Sequence, residues 1–379
     1  MSPCKAMIMA AGLGTRLYPL TGSMAKPMVP ILNRPVMEHM VNLVRRHGVS
    51  EVAANLHHYP DMIRAHFGDG SAFGVDLRYN LEEELLGTAG GVGAFRGLFA
   101  GGTFIVVSGD GLTDIDITAF VTAHRARGGI ATMAVKEVAD PSLYGVVVAD
   151  ADDRITGFQE KPPAAEALSH SCNCGIYAFE PAIFDYVPVG RFSDWAKDVF
   201  PALFADDVPF FRWRMRGYWS DVGNIEQYRL GNFDALLGRV ALDIPGHEVS
   251  PGVWVGEGTV IESRAHLEPP ILIGSGGVVE ADARLVGPLI VGDGCLIERG
   301  AVIDGGVHWD GVTLGQSSRT VRSIIGRDVT VHARAVVHED VVIGDGSRVA
   351  ADAVVSSGAR FAPSSSVAAD GSAASPVTS

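Results

Sequence analysis

Glycines, a hydroxyl and two cations are concentrated near the start of the chain, in Met9-Ala-Ala-Gly-Leu-Gly-Thr-Arg-Leu-Tyr-Pro-Leu-Thr-Gly-Ser-Met-Ala-Lys-Pro-Met-Val-Pro30. Gly12 and Gly14 free the backbone to turn successive N–H groups toward an anion. Thr15 adds a hydroxyl, and Arg16 and Lys26 add fixed positive charge. Such a run could hold a triphosphate. It is not a P-loop, because no Gly-Lys-Ser/Thr follows the glycines, and Leu17 occupies the third glycine position of a dinucleotide fingerprint. An ordinary glycine-rich β-to-α turn is the plain alternative. Asp110, at the end of the apolar run Thr103–Val107, is either a turn or cap residue or a ligand for a hard cation. Asp114 and Asp116 read as turn and N-cap residues. Asp221, in Arg-Gly-Tyr-Trp-Ser-Asp-Val-Gly223, is a second acidic position from a distant segment.

Short apolar runs alternate with longer amphipathic ones up to about Gly238 and must position these groups. The pattern predicts strands at Lys5–Met9, Glu51–Leu56, Val75–Tyr79, Thr103–Val107 and Ile130–Val135. Helices are predicted at Val36–His47, Tyr59–Phe67, Thr88–Leu98 and Ile117–Arg127. Alternating strands and helices imply βαβ units, hence an α/β fold with a Rossmann-like, mostly parallel sheet and helices on both faces. The opening loop then lies at the carboxyl end of a strand, where such sheets bind ligands. Tyr144–Val148 and Ile155–Pro162 read as paired strands of a smaller subdomain.

The motifs and their order resemble the sugar-1-phosphate nucleotidyltransferases, or NDP-sugar pyrophosphorylases, over residues 5–238. Ala-Ala-Gly-Leu-Gly-Thr-Arg, with Lys26-Pro27 ten residues on, is similar to that family's nucleotide-binding loop. Leu86-Gly-Thr-Ala-Gly90 resembles the base-recognition loop of mannose-1-phosphate guanylyltransferases, with Leu85 where those carry proline. Glu160-Lys161-Pro162 matches the family's Glu-Lys-Pro. Asn173-Cys-Gly-Ile-Tyr177 resembles its Asn-Thr-Gly-Ile-Tyr, with Cys174 replacing threonine, and Phe192–Asp198 resembles the segment carrying a lysine near the acceptor phosphate. The resemblance implies nucleotide contacts at Ala10, Ala11, Gly12, Gly14, Thr15, Arg16, Lys26, Gly87, Thr88, Gly90 and Asp110. It implies sugar-phosphate contacts at Gly145, Glu160, Lys161, Asn173 and Lys197, and magnesium held by Asp110 and Asp221. Arg16, Lys26, Asp110 and Asp221 are then the catalytic set. The implied reaction joins a nucleoside triphosphate and a sugar 1-phosphate, GTP with mannose 1-phosphate giving GDP-mannose, and releases pyrophosphate. ATP or dTTP, another hexose or a cyclitol phosphate are alternatives within the same chemistry.

From Val255 the periodicity changes. Val255, Ile261, Leu267, Ile273, Val279, Leu285, Val291, Ile297 and Ile303 recur every six residues, and a second series runs from Ile325 to Val355. A hexapeptide period of this length predicts a left-handed parallel β-helix. The 22 residues from 303 to 325 are not a multiple of six, which predicts a loop bulging out between Asp304 and Ser323. The domain reads as a stacking and oligomerising element, which would make the protein a homo-oligomer. A hexapeptide acyltransferase with His308, His332 or His338 as base, or a non-catalytic regulatory subunit, are different-class alternatives. The domains expected are therefore 1–238 (nucleotidyltransferase), 239–250 (linker), 251–360 (β-helix) and 361–379, an Ala/Ser/Pro-rich tail expected to be disordered.

At 379 residues there is room for about two domains. Hydrophobic content of 47% and a mean hydropathy of +0.20 indicate substantial buried cores. No apolar run approaches the roughly 20 residues of a membrane span, and the N-terminal run reads as a strand instead of a signal peptide. A net charge of −14 argues against nonspecific nucleic-acid binding. Cys4, Cys172, Cys174 and Cys295 form no Cys-x-x-Cys pair, so neither a zinc site nor a disulfide framework is indicated and a reduced cytoplasm is the expected compartment.

Overall fold

The computed structural model describes residues 4–374. The chain divides into two compact units. One comprises the residues up to Leu13 together with Val36–Asp221; the other comprises Gly14–Pro35 together with the residues from Val222 onward.

The first unit is built on β1 (Lys5–Met9), whose Ala6, Met7 and Ile8 are fully buried. A strand covered on both faces reads as a continuous apolar run, as here. α1 (Val36–Arg46) buries Val36, Met37, Met40, Val41 and Val44, one stripe at helical spacing. There follow β2 (Glu51–Leu56), α2 (Pro60–Phe67), β3 (Asp76–Leu81), α3 (Gly87–Gly93), α4 (Arg96–Phe99), β4 (Phe104–Ser108) and β5 (Leu112–Thr113). Then come α5 (Ile117–Arg127), β6 (Ala131–Glu137), β7 (Gly145–Ala149), β8 (Ile155–Glu160), β9 (Ser171–Phe179), α6 (Phe200–Ala205), β10 (Phe210–Arg214) and β11 (Trp219–Ser220). Among the described residues nine strands form one sheet, in the order β8-β7-β9-β4-β1-β2-β3, with β6 on β9 and β10 on β6. The two-residue strands β5 and β11 form a separate ribbon.

The sheet is of the expected α/β kind, and two features refine the expectation. It is parallel across β3-β2-β1-β4 and between β6 and β10, but β9 runs antiparallel to β4, β6 and β7. A parallel strand needs a long crossover. The short turn between β7 and β8 permits only an antiparallel pair, and β9, antiparallel to β7 in its turn, runs in the same direction as β8 on the other side of β7. The single helix expected over Thr88–Leu98 is broken into α3 and α4, as Gly90, Gly91 and Gly93 make a poor helix interior. The core between sheet and helices is aromatic: Phe104 stacks on Phe99 and Phe184, and Trp195 stacks on Phe179.

In the second unit Gly14–Pro35 forms three 3₁₀ turns (Thr15–Leu17, Leu20–Gly22, Lys26–Met28) and a ladder of Pro30–Ile31 with Arg34–Pro35. α7 (Ile225–Leu236) is capped by Asn224, whose side chain accepts from Gln227 N–H. Beyond it, short strands stack in parallel register, such as Val253–Val255 on Ile271–Ile273 and the latter on Leu289–Val291. The inward residues form one apolar column from Ile271 to Val367. This is the expected hexapeptide β-helix.

The bulging loop between 304 and 323 is not present. Val302–His308 pairs with Arg319–Ile325, and Thr313–Leu314 continues a second face. Inward positions Ile303, His308, Leu314, Thr320 and Ile325, all buried, are spaced five, six, six and five residues apart, with His308 in register between Val291 and Ile325. Two shortened hexads and a polar Thr320 hid the repeat. The expected disorder from 361 is also corrected. Ser366–Val367 pairs in parallel with Arg348–Val349, and Ala373–Ala374 runs back against it. Phe361 and Val367 keep the six-residue spacing from Val355 and supply the buried residues that the Ala/Ser/Pro composition concealed. Residues 375–379 of that tail lie outside the described residues.

Candidate active site

The first unit contains a cavity of about 670 Å³ at strand ends of its sheet, within the usual range for a small-molecule site. Gly145, Glu160, Asn173 and Lys197, expected on the sugar phosphate, all line it. They come from β7, β8, β9 and the π-helical turn Trp195–Val199. Gly145 opens β7 directly opposite Glu160 in the antiparallel ladder. Asn173 is locked at both ends of its amide, accepting from Gly175 N–H (2.8 Å) and donating to the Tyr177 hydroxyl (2.9 Å). Burial pushes the Tyr177 phenol well above its usual pKa, so it stays neutral. Gly175, at φ 66°, sits where β9 bulges between Asn173 and Tyr177, a conformation suited to glycine.

Lys161 stands outside the cavity-lining residues. Its Nζ meets Glu160 (3.1 Å) and its N–H bonds Tyr144 O (3.1 Å). Its φ of 45° is sparsely populated for a side-chain-bearing residue, and such strain concentrates at functional positions. Cys174 is buried beneath the cavity beside Met215 (3.5 Å). Burial raises its thiol pKa well above the ordinary value, which leaves it an inert packing residue.

Thr88 lines the same cavity. Its hydroxyl donates to Asp194 (2.9 Å) and accepts from Trp195 N–H (3.0 Å). Asp194 caps the turn that carries Lys197, accepting from the N–H groups of Ala196 and Lys197. Asp194 was not picked out as a site residue by sequence reading, although Ser-Asp ahead of a helical turn is a capping signal. Gly87 and Gly90 are set by close approach: an added Cβ would lie 2.5 Å from Ser193 O and 2.6 Å from Arg191 O. Ala89 and Gly90 N–H donate to Ser193 O. The 87–90 loop is thus sewn to the 191–195 segment.

Asp110 follows β4, with Ser108 Oγ donating to its carboxylate. Gly109 N–H bonds Met9 O (2.9 Å), and a Cβ at 109 would lie 2.8 Å from that oxygen. Ser220 pairs with Leu112 in the β5–β11 ribbon, which runs the strand end bearing Asp221 alongside the turn bearing Asp110 and Gly111. Among the described residues no group of three or more His, Cys, Asp or Glu side chains could hold a metal ion. Ala10 and Ala11 are buried at the exit of β1. A Cβ at Gly12 would meet nothing within 4 Å, so no packing neighbour demands glycine there.

Thr15, Arg16 and Lys26 belong to the second unit. Thr15 and Arg16 are exposed, whereas Lys26 is largely buried. Gly14, at φ 67°, lets the turn pass Lys26, whose Cβ an added methyl would approach to 2.8 Å. His308, weighed as a base, is sealed inside the β-helix; His332 and His338 are exposed. None of the described helices is long and apolar enough to cross a membrane.

Residues 5–236 match the family described as nucleotidyl transferase, and residues 322–357 match the bacterial transferase hexapeptide repeat. The chain is 42% identical to a UTP–glucose-1-phosphate uridylyltransferase of Synechocystis over 270 residues, covering 66% of this chain and 69% of that protein. It is 34% identical to a mannose-1-phosphate guanylyltransferase of Mycobacterium tuberculosis over 276 residues, 70% of this chain and 76% of the other. The crystal structure of HddC from Yersinia pseudotuberculosis superposes with a TM-score of 0.54 at 25% identity, over 60% of this chain and 98% of that one. The chain belongs to the nucleotidyl transferase family, as a sugar-1-phosphate nucleotidyltransferase with C-terminal hexapeptide repeats.

Proposed function

We propose that a phosphate oxygen of a hexose 1-phosphate attacks the α-phosphorus of a nucleoside triphosphate. A new P–O bond forms, the bond to the β-phosphate breaks, and pyrophosphate leaves. The observation that carries this reading is the cavity on which Gly145, Glu160, Asn173 and Lys197 converge from four separate segments. No protein nucleophile is needed, because the substrate phosphate is the nucleophile. Catalysis is then mainly positioning and charge neutralisation.

Glu160 and the remaining hydrogen-bonding capacity of Asn173 take sugar hydroxyls. Lys197 and Lys161 take the attacking phosphate. Arg16 and Lys26 neutralise the departing pyrophosphate, and the open approach at Gly12 leaves room for phosphate oxygens against the backbone. A magnesium ion suits Asp110 and Asp221: the donors are oxygens, and one or two carboxylates with substrate oxygens complete its shell. When bound, it would supply positive charge to the phosphate under attack.

For the substrates, Leu86-Gly-Thr-Ala-Gly90 favours GTP with mannose 1-phosphate. The 42% identity to a uridylyltransferase favours a second reading, UTP with glucose 1-phosphate. Pyrophosphate release, measured for GTP, UTP, dTTP and ATP against mannose and glucose 1-phosphates, tests both. The first reading expects turnover to be greatest with the GTP and mannose pair. Absence of release with every pair would overturn the reaction itself.

A further inference from the structure

A buried polar pair lies between the two segments expected to contact the nucleotide, and the proposed reaction assigns it no role. Asn55, at the carboxyl end of β2, is 1% exposed, and Glu82, just past β3, is 3% exposed. Glu82 opens the acidic run Glu82-Glu83-Glu84; Glu83 and Glu84 are exposed, but Glu82 is not. Asn55 Oδ1 accepts from Ala10 N–H (2.9 Å), and Asn55 Nδ2 donates to Glu82 Oε1 (2.8 Å). The other carboxylate oxygen, Oε2, accepts from Leu86 N–H (2.9 Å). The Glu82 backbone is held too, its N–H by Leu56 O (2.8 Å) and its O by His57 Nδ1 (2.8 Å). The chain of bonds runs without interruption from Ala10 to Leu86. Ala10 N–H can only donate, so the amide orientation of Asn55 is fixed by chemistry.

Gly91 completes the arrangement. A Cβ there would lie 2.6 Å from Glu82 Oε1 and 2.7 Å from Asn55 Nδ2, so α3 lies directly against the pair. A carboxylate this deeply buried is costly unless fully hydrogen-bonded. Here both oxygens are taken by protein donors.

We propose that Asn55 and Glu82 are positioning residues that hold the Ala10 end of the phosphate loop and the Leu86 end of the base loop at one fixed separation, so that a nucleotide meets both loops preformed. The inference rests on the proposed nucleotide-binding reading of those loops. It makes Glu82 a brace and not a reader of the base.

The pair can be broken and rebuilt without changing its size. In Glu82→Gln, the new amide must turn its oxygen to Leu86 N–H and its NH₂ onto the NH₂ of Asn55, two donors face to face. In Asn55→Asp, two carboxylates face each other. Combining the two substitutions restores every bond: the new carboxylate accepts from Ala10 N–H and from the new amide, whose oxygen accepts from Leu86 N–H. Net charge is that of the wild type.

The experiment measures KM for nucleoside triphosphate and for sugar 1-phosphate by pyrophosphate release. Each single variant is expected to raise the nucleotide KM about tenfold or more, from one mismatched buried bond, while the sugar-phosphate KM changes less than about twofold. The double variant is expected to return toward wild type. Gly91→Ala, which pushes on the pair while leaving both side chains in place, is expected to raise the nucleotide KM in the same selective way and serves where a single variant fails to fold. Equal rises in both KM values, unchanged nucleotide KM in the singles and in Gly91→Ala, or no recovery in a folded double variant would overturn the proposal. Wild-type protein with no pyrophosphate release would instead overturn the nucleotide reading on which it rests.

Discussion

The sugar-side cavity and the Gly14–Pro35 segment position their functional side chains by opposite means. In the cavity each group stands on or beside a regular element, and its direction follows from strand register: Gly145 opposite Glu160, Asn173 at the bulge of β9. In Gly14–Pro35 no element exceeds three residues, and remote partners hold the backbone. Ser23 Oγ donates to Asp345 (2.7 Å) across 322 residues of sequence, and Asn33 donates to Val291 O (2.8 Å) across 258. Tyr228 and Asn232 of α7 bond Pro30 O and Leu32 N–H, and Gly22 packs on Pro363. The comparison teaches that the segment bearing Arg16 and Lys26 depends on the packing of α7 and the β-helix, whereas the cavity depends on the sheet. It also gives the β-helix a structural task, holding that segment in place.

The largest expected effect separates the two regions by kinetics. Lys26→Ala should lower kcat by about 10²–10³, the range for removing one charge-stabilising group. Its sugar-phosphate KM should stay near wild type. An unchanged kcat with a raised sugar-phosphate KM would erase the division of labour. Next in size is Tyr228→Phe. The Tyr228 hydroxyl donates to Pro30 O and accepts from Trp309 Nε1 (2.8 Å) in a fully buried place. Its loss strands Trp309 Nε1 and leaves Pro30 O only the longer bond from Asn232 Nδ2 (3.3 Å), at about 1–3 kcal/mol, readable by chemical denaturation. If the segment is held as described, kcat also falls while the sugar-phosphate KM holds. A third test works from the cavity side: Lys197→Ala should raise the sugar-phosphate KM about tenfold, as expected for loss of one charge-assisted contact, with a much smaller change in nucleotide KM.

The same contrast explains what the sequence revealed. Strand and helix positions in the first unit followed from apolar periodicity because each element buries its own stripe, as β1 and α1 do. The cavity residues were legible as motifs because their spacing is local to single strands and turns. Asp194 and Glu82 were not. Their roles come from partners 106 residues away at Thr88 and 27 away at Asn55, and an acidic residue among other acidic residues gives no sign of being buried. The β-helix was legible while its period held at six. It became illegible where two hexads lose a residue and Thr320 turns inward, because parallel pairing conserves the coil while the count along the chain does not. The antiparallel direction of β9 against β4, β6 and β7 is set by pairing across the sheet, which periodicity along the chain did not report.

The last prediction uses acidity to probe the region that holds Gly14–Pro35. His308 is fully buried in the β-helix, its Nδ1 has no partner, and its Nε2 lies 3.3 Å from Thr320 Oγ1. Burial lowers its pKa from the ordinary 6.5 to about 3. The folded protein therefore keeps this imidazole neutral at pH values where the unfolded chain has already taken up the proton. Its contribution is fully present above pH 6.5 and is lost as the pH falls from 6.5 toward 3. The loss should amount to roughly 1 kcal/mol by pH 6 and about 1.4 kcal/mol for each further unit. Denaturant unfolding followed through Trp309, the residue beside it, should show this slope, and His308→Gln should flatten it by that amount even if the substitution lowers stability at neutral pH. An unchanged slope in the variant would assign the acid sensitivity to carboxylates elsewhere. A flattened slope, with sugar-phosphate binding retained where Trp309 already reports unfolding, would show that the cavity and the unit carrying Lys26 can be lost separately.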